Sequence, residues 1–104
     1  MRLTDLDPFW LVKDCRRVGF SFISPTAPQW RQIVTAEKLG TREQWALTNA
    51  ARPESARQSQ CGGFVWTILG GIESATFETM TVTPSVDGSP GGLWHGWITN
   101  GEIR

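Results

Sequence analysis

The stretch Leu93-Trp94-His95-Gly96-Trp97-Ile98-Thr99-Asn100-Gly101-Glu102-Ile103-Arg104 decides the fold. Asn100-Gly101 accepts positive φ at both centres of a type I′ turn, so it predicts a two-residue β-hairpin loop. The residues before it alternate. His95 falls on one face with Leu93 and Trp97, while Trp94 and Ile98 fall on the other. Gly96 leaves a gap on that second face into which a ring or another backbone can move. The return strand after the turn is short. A hairpin with tryptophan on both faces belongs to a small β domain.

The rest of the chain extends this reading. Asp87-Gly88-Ser89-Pro90-Gly91-Gly92 reads as a flexible loop. Thr76 to Thr83 is rich in β-branched residues and predicts a strand, with Phe77 out of phase with Met80 and Val82 in the manner of a bulge. Gly70-Gly71 marks a turn. Phe64-Val65-Trp66-Thr67-Ile68-Leu69 is apolar on both faces, which predicts a central strand. Gly62-Gly63 reads as a turn, and Ala51 to Gln60, with no large apolar residue, as a surface loop.

Thr41 to Ala50 reads two ways. Thr41 with Gln44 resembles a helical capping box, whereas Trp45 and Leu47 alternate with polar neighbours, and the strand is favoured. Pro28 predicts the start of a short helix in which Trp30, Ile33, Val34 and Glu37 share a face, stopped at Gly40. Val18, Phe20 and Phe22 alternate with Gly19 and Ser21, the period of a half-buried strand. Phe9 to Val12 is a short apolar run compatible with another. The expectation is one all-β domain over residues 1–104, a small antiparallel sandwich or partly open barrel with at most one or two short helices. Its expected core holds Phe20, Phe22, Trp66, Ile68, Trp94 and Ile98, and Asn100 and Gly101 form its turn.

Composition narrows the function classes. Ten Lys plus Arg balance ten Asp plus Glu, so the chain lacks the basic surplus that nucleic acid or an anionic membrane attracts. Six tryptophans and five phenylalanines with no tyrosine concentrate apolar area in few side chains, enough to hold a small core or to anchor an interface. The start, Met1 to Asp7, lacks the apolar stretch of a secretory signal, and no run approaches the roughly 20 apolar residues that span a bilayer. A virion or the host cytoplasm is the expected location. Cys15 and Cys61 stand too far apart for a metal-ligand motif, and whether they pair is open.

His95, the sole histidine, is where chemistry would be sought: a metal ligand, a general base or a hydrogen-bonded structural residue. Ser85 and Asp87 lie close to it in sequence, but nothing around Ser85 resembles a nucleophile elbow. Asp14, Glu43 and Glu78 are scattered, and the glycine pairs bound a strand rather than open a helix. No catalytic residue, metal site or cofactor is expected.

The run from Phe77 through Pro84-Ser85-Val86 to Trp94-His95-Gly96-Trp97-Ile98-Thr99-Asn100-Gly101-Glu102 resembles a family of small tailed-bacteriophage proteins. That family ends in a "PSI … C-x-W-H-G-[FY]-I-T-x-G-E" pattern and carries Cys-Pro-Cys after an early aromatic strand, here Val18 to Phe22. Its three cysteines and one histidine would suit a tetrahedral zinc site. This chain has Ser24-Pro25-Thr26 and Gly92 at the cysteine positions, so only His95 remains. The resemblance therefore implies a phage origin, no bound zinc and aromatic packing in place of a stabilisation on the order of 10 kcal/mol. It implies no activity.

Three functions follow as expectations. The first is a non-enzymatic protein that works by contact, as an accessory virion component bound to phage structural proteins. The second is a small inhibitor of a host defence protein, and the third a degenerate metal-binding enzyme. A second copy of the chain is also admissible as a partner. The expected contact surface comprises Asp87, Gly91, Leu93, His95 and Trp97, with Trp97 as anchor.

Overall fold

The structure is a computed structural model that describes residues 1–52, 57–59 and 63–104, the side chains of 57–59 excepted. Among these residues it contains two β-sheets and one α-helix. The first sheet runs β1 (Phe9–Lys13), β2 (Arg16–Ser24), β3 (Ala27–Thr35) and β4 (Arg57–Ser59). Its first three strands are antiparallel, and β4 lies parallel to β3. The second is an antiparallel meander of β5 (Thr67–Ile68), β6 (Val82–Asp87), β7 (His95–Thr99) and β8 (Glu102–Ile103). The helix α1 spans Thr41–Ala51. The all-β expectation holds, as two separate sheets rather than a closed barrel.

The sheets face each other across one apolar cluster. Phe20, Phe22 and Val34 from the first sheet meet Ile68, Val82, Val86 and Ile98 from the second, with Trp66 and Trp94 beside them. All six expected core residues are buried. Phe22 meets Trp94 edge-to-face at 6.0 Å, an aromatic contact between the two halves. Trp10 stacks on Phe77 at 4.2 Å, and the Arg17 guanidinium lies over Trp10, 4.2 Å from its ring centroid.

The first sheet is also covered on its far face. Leu11, Val18, Ile33 and Leu39 form a second cluster there, with Phe9 and Leu47 packed against it. Leu47 comes from α1, so the order of layers is helix, sheet, sheet. Val18 departs from the expected alternation with Phe20 and Phe22. The register shift opposite Leu11 and Val12 places an extra β2 residue there, and this bulge sends Val18 outward and Arg17 inward.

Four expected elements are corrected. Ala27–Thr35 is a strand, not part of a helix starting at Pro28. Thr41–Ala51 is a helix, not a strand. Its buried face is polar: Gln44 donates from Nε2 to the Leu39 carbonyl, and Thr48 donates from Oγ1 to the Gln44 carbonyl. Residues 64–69 yield only the two-residue β5 at the edge of the second sheet, with Phe64, Val65 and Leu69 exposed. Thr76 to Thr79 is a turn, and the strand begins at Val82 and runs through Pro84. Phe77 lies in that turn, so the bulge expected there is absent; a register shift falls instead between Val82 and Val86, where a proline needs no ladder partner. The surface loop read over residues 51–60 and the turn at Gly62 lie largely outside the described residues, as does Cys61. Cys15 is exposed, with its thiol free, at the tip of the β1–β2 hairpin.

The terminal hairpin is as expected. Asn100 and Gly101 have φ of 48° and 75°, joining β7 to β8. A Cβ on Gly101 would lie 2.1 Å from the Glu78 carbonyl oxygen, so that position needs glycine for space as well as for φ. The first residues are tied to this hairpin: the Leu3 amide donates to the Gly101 carbonyl, and Arg2 pairs with Glu102 at 2.8 Å.

Candidate functional site

Because β7 alternates with period two, one of its faces joins the core and the other meets solvent. Gly96 and Ile98 are buried, while His95, Trp97 and Thr99 are exposed. Trp97 keeps 50% of its surface accessible, against 8% for Trp94. No element among the described residues plays on this face the part that α1 plays on the first sheet. Trp45, on α1, is the other strongly exposed tryptophan.

Strand β6 brings further polar groups to the same region. Asp87 lies opposite His95 in the ladder. The Ser85 hydroxyl is 3.2 Å from His95 Nε2, and Asp87 Oδ1 is 3.8 Å from His95 Nδ1. Three residues separated in sequence by up to ten positions therefore converge, because Ser85 and Asp87, two apart on β6, share the face that Asp87 shares with its ladder partner His95.

The trio has the composition of a catalytic triad but not its alignment. A separation of 3.8 Å exceeds a hydrogen bond, so the carboxylate does not fix the imidazole. Asp87 Oδ1 instead accepts from the Ser89 amide at 2.9 Å and from the Ser89 hydroxyl. These two bonds, with the nearby His95, hold the Asp87 carboxyl below the usual carboxylate range. Asp87 is thus an anion at neutral pH, facing solvent.

The segment after Asp87 is more ordered than a loop reading suggests. Residues Ser89–Gly91 form a 3-10 turn, closed by bonds from the Gly91 and Leu93 amides to the Gly88 carbonyl. Gly91 is exposed at its tip, and Leu93 is half-buried just before β7. Of the five expected contact residues, Asp87, His95 and Trp97 come together on the sheet face. Gly91 and Leu93 belong to the adjoining turn.

Next to this group lies a cleft of about 360 Å³ lined by Phe64, Trp66, Pro84, Ser85 and Asp87. Phe64 and Trp66 meet edge-to-face with centroids 4.6 Å apart. The Trp66 indole N–H donates to the Ser85 carbonyl at 3.2 Å, which fixes the strand forming the floor. The sequence reads residues 64–69 as a central strand apolar on both faces, which does not reveal the cleft. Its one sequence signal was Pro84, whose presence inside a strand implies a bulge.

Among the described residues, no three His, Cys, Asp or Glu side chains gather into a set able to hold a metal ion. No helix is long and apolar enough to cross a membrane among the described residues. Comparison with protein-family models, with curated proteins and with solved structures finds no match to this chain.

Proposed function

We propose that this protein acts by binding another protein and catalyses no reaction, with the outer face of the second sheet as its contact surface. One observation carries this reading: an exposed Trp97 stands on a rigid strand whose opposite face is locked into the core. Interface anchors are typically aromatic side chains held on ordered scaffolds, since little conformational freedom is lost when they bind. The balanced charge of the chain favours a protein surface over a polyanion. The misaligned Ser85, His95 and Asp87 group supports recognition by hydrogen bonding better than acyl transfer.

The resemblance of the Phe77 to Glu102 stretch to tailed-phage proteins supplies the setting, an accessory component of the virion docked on phage structural proteins. Quantitative mass spectrometry of purified particles tests this. The expected result is a fixed copy number per particle that survives stringent washing. Absence from particles made while the protein is being expressed would overturn the virion assignment.

A further inference from the structure

Building on that contact reading, we propose that the cleft between Phe64, Trp66, Pro84 and Asp87 is a receptor for an arginine side chain presented by the partner. Among the described residues, the cleft combines apolar walls with the Asp87 carboxylate. Phe64, Trp66 and Pro84 offer surface to an aliphatic stem, and among the described residues of the lining Asp87 is the only charged one. Its contacts with Ser89 and His95 all involve Oδ1, which leaves Oδ2 as the acceptor for an incoming donor.

Charge complementarity selects a cation. An aromatic face attracts a cation through its quadrupole, and a nearby carboxylate adds hydrogen bonds. A planar guanidinium satisfies both at once, stacking on a ring while its fork reaches the carboxylate, whereas an ammonium is a compact and strongly hydrated point charge. The volume of about 360 Å³ falls at the small end of ligand pockets, suited to one side chain rather than a cofactor.

The same chemistry already operates within the chain. Arg31 and Arg52 lie over the Phe9 ring at 4.5 and 4.9 Å, and both pair with the Asp7 carboxylate. Aromatic ring, carboxylate and guanidinium thus form a stable set in this protein. The Asp87 cleft presents the ring and the carboxylate outward, on the side of the molecule that carries Trp97.

The test uses the full-length protein labelled with ¹⁵N and N-acetyl-arginine amide as probe, with N-acetyl-citrulline amide as its neutral isostere. The expected result is saturable shifts of the Trp66 indole and the Ser85 and Asp87 amides with the arginine compound, and at least about tenfold weaker binding of citrulline. Asp87→Asn keeps an Oδ1 acceptor for Ser89 and so keeps the turn, but should weaken arginine binding by a similar factor. Equal binding of both compounds, shifts elsewhere, no saturable shifts, or an Asp87→Asn protein that binds like wild type would each overturn the proposal. None of these would touch the contact reading, which the particle experiment addresses separately.

Discussion

Gln32 holds Trp94 by both ends of its amide. Its Nε2 donates to the Trp94 carbonyl and its Oε1 accepts from the Trp94 amide, each at 3.2 Å, in a buried position. Gln32 belongs to β3 and Trp94 leads into β7, so this pair joins the two sheets within an otherwise apolar interior. It also sets where β7 begins, and therefore which side chains face outward.

Gln32→Leu preserves size but leaves the Trp94 amide without its partner. The Trp94 carbonyl keeps a bond from Gly88, so the loss is one buried donor. Destabilisation of about 1–3 kcal/mol is expected, read from urea denaturation at unchanged m-value. A neutral result would mean that water replaces the amide there.

A second prediction concerns Arg31, only 2% exposed. Its Nε donates to the Ser21 hydroxyl at 2.8 Å, one Nη donates to the Ser21 carbonyl at 3.2 Å, and the guanidinium pairs with Asp7. Burial lowers the pKa of Arg31, and Asp7 opposes that shift. Arg31→Met should cost about 3 kcal/mol by equilibrium denaturation, because Ser21 loses two hydrogen bonds and Asp7 loses one of its two guanidinium partners. Arg31→Lys should recover little of it, since an ammonium does not reproduce the forked geometry.

Much of this architecture was legible in the sequence, and the misreadings of β3 and α1 each have a physical cause. The Asn100-Gly101 turn and the β7 alternation were plain because β7 has one dry face and a local turn signal, and the Phe20/Phe22 strand because only small Gly19 and Ser21 stand between its rings. Ile33 and Val34 were read as a helical stripe because β3 is covered on both sides, Ile33 by the outer cluster and Val34 by the inter-sheet core. A doubly covered strand loses its polar–apolar alternation. Conversely, α1 buries Gln44 and Thr48, spaced four apart, so its helical period is written in polar residues. The site was half legible. Asp87, His95 and Trp97 fall together from pattern alone, but the cleft depends on how residues 64–66 cross the edge of β6, which no local pattern encodes.

Gly96 gives a third prediction. A Cβ there would lie 2.5 Å from Trp94 Cζ2 and 2.7 Å from the Arg104 carbonyl oxygen. Gly96→Ala should therefore destabilise by about 1–3 kcal/mol through overpacking. For a domain of this size that is a fall in Tm of roughly 5–20 °C. Gly101→Ala should be worse, as it adds a left-handed φ of 75° to a backbone clash. An unchanged Tm for Gly96→Ala would show that Trp94 can move aside freely.

The Asp87 turn predicts a pH effect of definite sign. Ser89 depresses the Asp87 pKa in the folded protein below its ordinary value of 3.8, so on acidification the unfolded chain takes up the proton first. The resulting stabilisation is present above pH 3.8 and disappears as the pH falls through the folded value beneath it. NMR titration of the Asp87 carboxyl should give a value below 3.8. Ser89→Ala should raise it toward the ordinary range, and a titration unaffected by that change would remove Ser89 as the cause.

The central claim is that the outer face of the second sheet recognises a partner and takes no part in the core. Its most direct test is Trp97→Ala, assayed for incorporation into purified phage particles alongside thermal unfolding. The account predicts that the variant unfolds within about 5 °C of wild type, a change of about 1 kcal/mol or less, yet is lost from particles. Incorporation at the wild-type level, or a collapse in Tm that accounts for the loss, would contradict it.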